Sequence, residues 1–553
     1  METANMNIDR RQFLLATGAA VVGTSALTGT AAAAESSASL WQEFVANPYD
    51  HPQIPNVAYA GHRTGERPPR RPVLANVLFF GARRDGSADA APAINRAVEF
   101  VGRLGGGTVL VPPGRYRIDD IIRIGYDNVV LRGAGSARTT FYATRSLEQI
   151  VGINRSRYGS ENSAWSWAGG LVWVCHRDRY RPLIDAIQAK KWPFEGWTGN
   201  ELEQGSVLTE ITGSAARGAF VVTVANGRSL RAGQRVLLRL DDSEYSLPKH
   251  MCGDVPGTTS YRWDDKTKLL SYFPFLWPVR VEWVRGNRVK LAQPLPLEIR
   301  PEWKPRLTTT APVITGAGVE GIKIEMFKVP TPKHLQDKGY NGVAFQCAWD
   351  CWADDVHVHD VDNGFLMVSA KGISLLNTRV SGRGHHHAYA TREQSHDNLT
   401  DGFVIEAPSE PSQAGAGNHG LNVEGLSCGN VWTRGRMDHD VFDTHRGLPF
   451  GNVRTEITIN NVGAHGGSAD AGPLYGARFA HWNVTVTNQR AGNVRIDQVA
   501  PCSATVAISE VRDFGQIDKP DFTGPLNSRL ELYGTTDVVP RNLYDAQKRL
   551  RRR

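Results

Sequence analysis

Four histidines recur at nearly even spacing late in the chain. His396 and His419 are 23 residues apart, His445 follows after 26, and His465 after a further 20. Each interval is close to one coil of a stacked repeat, so the four are expected to line one face. They sit in SHDNL, GNHGLN, DTHRG and AHGG, outside the alternating apolar runs, where turns and strand edges are expected. Around them the sequence is rich in groups that move protons or hold anions. Asp438, His439, Asp440, Asp443, His445 and Arg446 fall in one short segment, with Tyr475, Arg478 and His481 after it. His385, His386 and His387 precede Tyr389 and Arg392; on a strand, His385 and His387 would share a face and His386 would take the other. The candidate catalytic set is therefore His396, His419, Asp443, His445, Arg446, Tyr475 and Arg478. His385, His387, Arg392, Asn422, Arg434, His465 and His481 are the candidate substrate-binding residues.

These residue types suit β-elimination on a uronate glycan. That reaction needs a cation on the carboxylate, a base for the C5 proton and an acid for the leaving oxygen. Arg446 or Arg478 could pair bidentately with the carboxylate, and a neutral histidine could be the base, with Tyr475 or a second histidine as acid. Calcium is the candidate cofactor, with Asp438 and Asp440 as its ligands. Glycoside hydrolysis is the runner-up, since Asp438, Asp440, Asp443 and Asp397 offer paired carboxylates. A glycan-binding protein without catalysis ranks third. No histidine pair has the close spacing of a zinc motif.

The elements that would position this site repeat. VEGIKIEM (319–326), DDVHVHDV (354–361), GISLLNTRV (372–380), NLTDGFVI (398–405), NVWTRGRM (430–437), NVRTEITINNV (452–462) and NVTVTN (483–488) share one texture: Asn or Gly, alternating β-branched residues, a polar exit. Their starts step by roughly 20 to 30 residues, the length of one parallel β-helix coil, and the recurrent Asn can hydrogen-bond along the stack.

Upstream, Asn76 to Ile118 reads NVLFFGARRDGSADAAPAINRAVEFVGRLGGGTVLVPPGRYRI. A short strand is followed by an Asp85-Gly86 turn and a helix with Asp89 as N-cap and Pro92 in its first turn. Ile94, Ala97, Val98 and Val101 form its apolar stripe, and Gly105 to Gly107 end it. Pro112 to Gly114, Tyr116, Leu131 and Gly133 to Gly135 complete a pattern that resembles the N-terminal segment of the pectate-lyase-like β-helix superfamily. The resemblance implies an all-β fold, a right-handed parallel β-helix whose N-terminal end is capped by the helix at 90–104. It also implies a carbohydrate-active enzyme. No catalytic motif matches residue by residue, so no catalytic residue is carried over.

The remaining stretches divide the chain. Arg10-Arg11 before Phe13 and Leu14, an apolar run and Ala31 to Ala34 read as a twin-arginine export signal over 1–34. Extracytoplasmic location follows, and a metal could be loaded before export because such substrates cross folded. Residues 35–72 are a Pro-rich arm, 73–140 the cap and first coils, 141–310 a Trp-rich β insertion, 311–535 the coils with the groove, and 536–553 a basic tail ending KRLRRR. Hairpins are expected at Gly218–Leu240, around an Asn-Gly turn, and at Val279–Leu295, around a Gly-Asn turn. The net charge of +7 is mild for 553 residues and suits an anionic polysaccharide partner. No nucleic-acid motif is present, and no later apolar run is long enough to span a bilayer. Six cysteines are too few for a disulfide scaffold, and Cys347 and Cys351 are read as an optional disulfide or buried thiols. The oligomeric state is left open.

Overall fold

The protein was analysed as a computed structural model, which describes residues 37–152, 162–189, 197, 205–263, 267–410, 418–462, 467, 471–490, 492–512 and 521–552. The export-signal segment 1–34 and His465 lie outside the described residues.

The solenoid is a parallel β-helix. Apart from a block within 205–308, the described strands pair in parallel from Val73–Asn76 to Arg529–Tyr533. They form one long sheet and one shorter sheet, the latter built from Ile122–Ile124, Val172–Val174, Asn341–Trp349, Asn363–Lys371, His387–Arg392 and Leu421–Val423. In the long sheet each later coil bends at one residue. Gly321, Asp355, Asn377, Gly402, Arg434, Glu456, Asn483, Ala507 and Leu532 follow one another in register, all with φ between 50° and 70°. A single left-handed residue turns the chain in each coil, within a strand or, at Asn377 and Gly402, between two short ones, so the long sheet folds along that line.

Buried asparagines bond along the stack as the repeat texture predicts. Asn398 Nδ2 donates to Asn430 Oδ1 at 2.9 Å, and Asn430 Nδ2 to Asn452 Oδ1 at 2.9 Å. A second ladder joins Asn363 Nδ2 to Asn341 Oδ1 at 2.9 Å and continues to His387, whose Nδ1 lies 2.9 Å from Asn363 Oδ1.

The helix Ala91–Arg103 packs on the first coil through Ile94, Ala97, Val98 and Val101, the stripe read from the sequence. Its N-cap is Ala90 rather than Asp89, but Asp89 Oδ1 still accepts from the amide of Ala91 at 3.0 Å. The insertion begins later than its composition suggests. Thr139–Ala143 and Val172–Val174 are solenoid strands, and Trp165 and Trp173 are core residues. The inserted antiparallel sheet contains the hairpin through Gly286-Asn287 as expected. The other hairpin does not form: Val221–Thr223 pairs with Arg288–Leu291, and Arg235–Leu240 pairs with Phe275–Arg285 and Arg306–Thr308. Asn226 instead caps a short 3-10 turn, so its Asn-Gly dipeptide does not close a two-residue loop.

The arm and the chain end meet on the long sheet. Leu40, Phe44, Ile54 and Val57 pack with Leu399, Val431, Val453, Trp482, Leu543 and Tyr544. The basic tail is not a loose terminus. Leu543–Arg551 is a helix whose Lys548 and Arg551 donate to the carbonyls of Gly65 and Thr64. All six cysteines are buried. Among the described residues no helix is long and apolar enough to cross a membrane.

Candidate functional site

The outer side of the shorter sheet carries the polar cluster. Tyr389 pairs with Leu421, and Val423 with Thr444, so Arg392, Glu424 and His445 come from three successive coils, as do Ala390, Asn422 and Asp443. Tyr389 and Thr391 point to the opposite, buried side and anchor the strand. Stacking thus brings into contact groups that are 20 to 30 residues apart in sequence.

Asp443 is the centre. It is fully buried, and its Oδ2 receives Asn422 Nδ2 at 2.6 Å and His445 Nδ1 at 2.5 Å, with His419 Nδ1 at 3.4 Å. Burial alone would raise its pKa, but His445 and His419 outweigh burial and hold the carboxyl well below the usual range. With Nδ1–H given to Asp443, the basic nitrogen of His445 is Nε2. Gly467 lies against it: a Cβ there would come within 1.6 Å of His445 Nε2. Asp443 Oδ1 and Asn422 Oδ1 are buried acceptors with no partner among the described residues. Beside this group, Arg392 Nε donates to Glu424 Oε1 at 2.7 Å and its Nη1 to the carbonyl of Trp167 at 3.1 Å. The ion pair is fully buried.

Three further imidazoles close the cluster. His419 Nε2 stands 3.2 Å from His334 Nε2, and the His386 ring centroid is 5.0 Å from His334 and 5.1 Å from His419. His334 is exposed, on the loop between Met326 and Asn341, whereas His386 is buried. His386 Nδ1 is 2.8 Å from Asp337 Oδ2, which also accepts from Ser166 Oγ at 2.5 Å. Burial pushes the Asp337 carboxyl up to about 6. Desolvation where its ring packs on the neighbouring imidazoles, aided by their charge, takes His334 down to about 3 although the residue as a whole is exposed, and burial takes His386 well below its ordinary value. Burial works the same way on His419, but Asp443 outweighs it and holds this imidazole above the ordinary value.

Of the sequence candidates, His419, Asp443, His445, Asn422, Arg392 and His387 come together here. His385 lies alongside, its Nε2 2.7 Å from Asp440 Oδ2. Asp440 is thus a buried partner of His385 and His439 rather than an open calcium ligand, and Asp438 lies on the surface beside Arg436. The strict alternation expected of the triplet fails because the strand begins at His387; the His386 and His387 rings sit 4.0 Å apart. Arg446 is half-buried next to His445, and its carbonyl accepts from Gly425.

The other candidates lie elsewhere. His396 is buried against the insertion, bonded to Leu276 O and Cys428 Sγ. Its interval of 23 from His419 is right, but it occupies a different position around the coil. Asp397 pairs with buried Lys371. Tyr475 stacks edge-on against Phe479 in the core. His481 is buried between Arg454 and the carbonyl of Val494. Arg478 lines a cleft with Arg217, Tyr59 and Trp277, between arm and insertion. Arg434 occupies a bend and pairs with Asp401 and with Asp545 of the C-terminal helix. His334, His386 and Asp337 were not on the candidate list. His334 and Asp337 lie in a loop with no repeat texture, and only their shared segment, KHLQD, hints at polar chemistry.

Residues 74–177 match the family model described as rhamnogalacturonase A/epimerase, pectate lyase-like. Mannuronan C5-epimerase AlgE6 of Azotobacter vinelandii is 41% identical over 87 residues, 14% of this chain and 10% of that protein. AlgE3 of the same organism is 39% identical over 86 residues, 14% of this chain and 5% of that protein. The chain therefore matches a tenth or less of the length of these relatives. Among solved structures, the tailspike protein gp49 from Pseudomonas phage LKA1 is 14% identical, with a TM-score of 0.44 over 80% of this chain and 73% of that one.

Proposed function

We propose that this protein, whose residues 74–177 carry a pectate-lyase-like domain, is an exported enzyme that removes the C5 proton of a uronate in a polysaccharide. The observation that carries the reading is the Asp443–His445 pair. A buried carboxylate holds Nδ1–H of His445 at 2.5 Å and leaves Nε2 as the base. In β-elimination Nε2 takes the C5 proton, the C4–C5 double bond forms, the C4–O bond breaks, and a proton ends on the leaving oxygen. Arg446, next to the base, is the candidate cation for the uronate carboxylate.

C5-epimerisation is a second reading, supported by the likeness to the mannuronan C5-epimerases. It shares the first step and differs in that the C4–O bond stays intact and an acid on the opposite face delivers a proton to C5. Hydrolysis has less support. A hydrolase needs a carboxyl with a raised pKa as acid; the carboxyls flanking His445, Asp443 and Glu424, are both held low against the effect of burial by their cationic neighbours, and Asp337, which burial raises, is buried and bonded to His386 and Ser166.

The test is digestion of a panel of acidic and neutral polysaccharides, following ultraviolet absorbance, reducing ends and the C5 configuration by proton NMR. Absorbance rising with reducing ends means elimination. A changed epimer ratio without cleavage selects the second reading. Reducing ends alone would replace both with hydrolysis, and silence in every channel, together with binding in a glycan screen, would make the protein a binder.

A further inference from the structure

The reaction above uses His445 and Asp443 and leaves three imidazoles without a role. His334, His386 and His419 each offer a ring nitrogen, and these nitrogens all lie within 4.8 Å of one another. Two nitrogens on one tetrahedral zinc ion at 2.0–2.1 Å stand about 3.4 Å apart; the Nε2 atoms of His334 and His419 are separated by 3.2 Å. The far nitrogens are already engaged. His386 Nδ1 is held by Asp337, itself fixed by Ser166, and His419 Nδ1 faces Asp443 at 3.4 Å. A carboxylate on the distal nitrogen is the arrangement that orients a metal-bound histidine and increases its basicity.

We propose that His334, His386 and His419 bind a divalent transition-metal ion of the zinc class, with Asp337 and Asp443 as positioning carboxylates. Imidazole donors select this class over calcium, which takes oxygen ligands. Three protein ligands leave the remaining position for water or substrate. A second set, His419, Asp443 and His445, also converges within 4.8 Å. It is a poorer holder, because Asp443 Oδ2 and His445 Nδ1, at 2.5 Å, are bonded to each other. The role of the ion rests on the uronate reading: as a Lewis acid it would neutralise the carboxylate beside His445. Its existence does not rest on that reading.

The full chain, stripped with chelator, is titrated with Zn2+ by calorimetry and with Co2+ by visible absorption. One Zn2+ per chain and the absorption of tetrahedral Co2+ are expected. His334→Ala, at an exposed loop position, weakens binding by at least about 100-fold. Asp337→Asn weakens it by about 10–100-fold. His445→Ala binds zinc as the wild type does while turnover is lost, which separates the metal from the acid–base chemistry. Absence of stoichiometric binding, or His334→Ala binding like the wild type, overturns the site; the 3.2 Å contact is then an N–H···N bond. Stoichiometric zinc whose removal leaves turnover unchanged overturns the Lewis-acid role.

Discussion

Two outer faces of the solenoid are covered by chain from elsewhere, and they are covered by opposite chemistry. On the long sheet, Leu399, Val431, Val453, Ala480 and Ala504 stand in register, and the arm and C-terminal helix bury them with Leu40, Phe44, Val57 and Leu543. On the shorter sheet, the neighbours up the stack are Arg392, Glu424 and His445, covered by Trp167 and the loop that carries His334. The backbone array is the same in both places. An apolar column gains by excluding water and needs no further partner. A charged column must satisfy every group it buries, and those without a partner among the described residues, such as Asn422 Oδ1 and Asp443 Oδ1, are a cost the apolar column does not carry. The proposed site sits where stacked side chains are buried but not fully paired.

Breaking the charged column should have the largest effect. His445→Ala is expected to lower kcat by about 10²–10⁴-fold and, by leaving the buried Asp443 short of a partner, to lower melting as well, while Val453→Ala on the other face lowers stability and leaves kcat unchanged. Equal kcat losses in the two variants would erase the distinction between the faces. Arg392→Ala strands Glu424 as a buried charge and should cost about 3–5 kcal/mol in a denaturant titration; a loss under about 1 kcal/mol would mean the column is not tightly coupled. Phe44→Ala, at a fully buried arm position, should cost about 3 kcal/mol. Limited proteolysis then cuts within residues 37–65 first, with turnover retained.

The smallest effect is set by pH on the arm. His51 Nδ1 accepts from the amides of Gln53 and Ile54, and burial lowers its pKa to about 4. Glu43 pulls the other way without reversing the shift. Because the fold disfavours the proton, His51 contributes in full above about 6.5, its ordinary pKa. That contribution falls as pH drops toward about 4. Proteolysis of the arm should accelerate between pH 7 and pH 4.5, less so in His51→Asn; identical pH profiles would remove His51 from the cause.

Several features were legible before any coordinates. The stripe Ile94, Ala97, Val98 and Val101, the Gly-rich helix end and the coil textures from Val319 onward all appear as elements where expected. The Asn398–Asn430–Asn452 ladder follows from residues recurring one coil apart. The bends did not show. Arg434, Glu456, Ala507 and Leu532 adopt the left-handed conformation that only glycine and asparagine signal in a sequence. Their stacked neighbours impose it, and pairing on both sides outweighs the local strain. The insertion misled for a related reason: tryptophan-rich composition marked all of 141–310, although Val172–Val174 belongs to the solenoid.

The site divides the same way. Sequence alone determined that His419, Asp443 and His445 recur near one coil length, and periodicity of that kind becomes contact in any stacked fold. It could not determine position around the coil. Loops of unequal length shift the phase, so His396 faces the insertion and Arg478 the arm. Nor could it place His334 and Asp337, which reach the cluster through a loop outside the repeat. Spacing along the chain fixes which coil a residue occupies; only the path of the chain around that coil, set by packing of loops on sheets, decides what it touches.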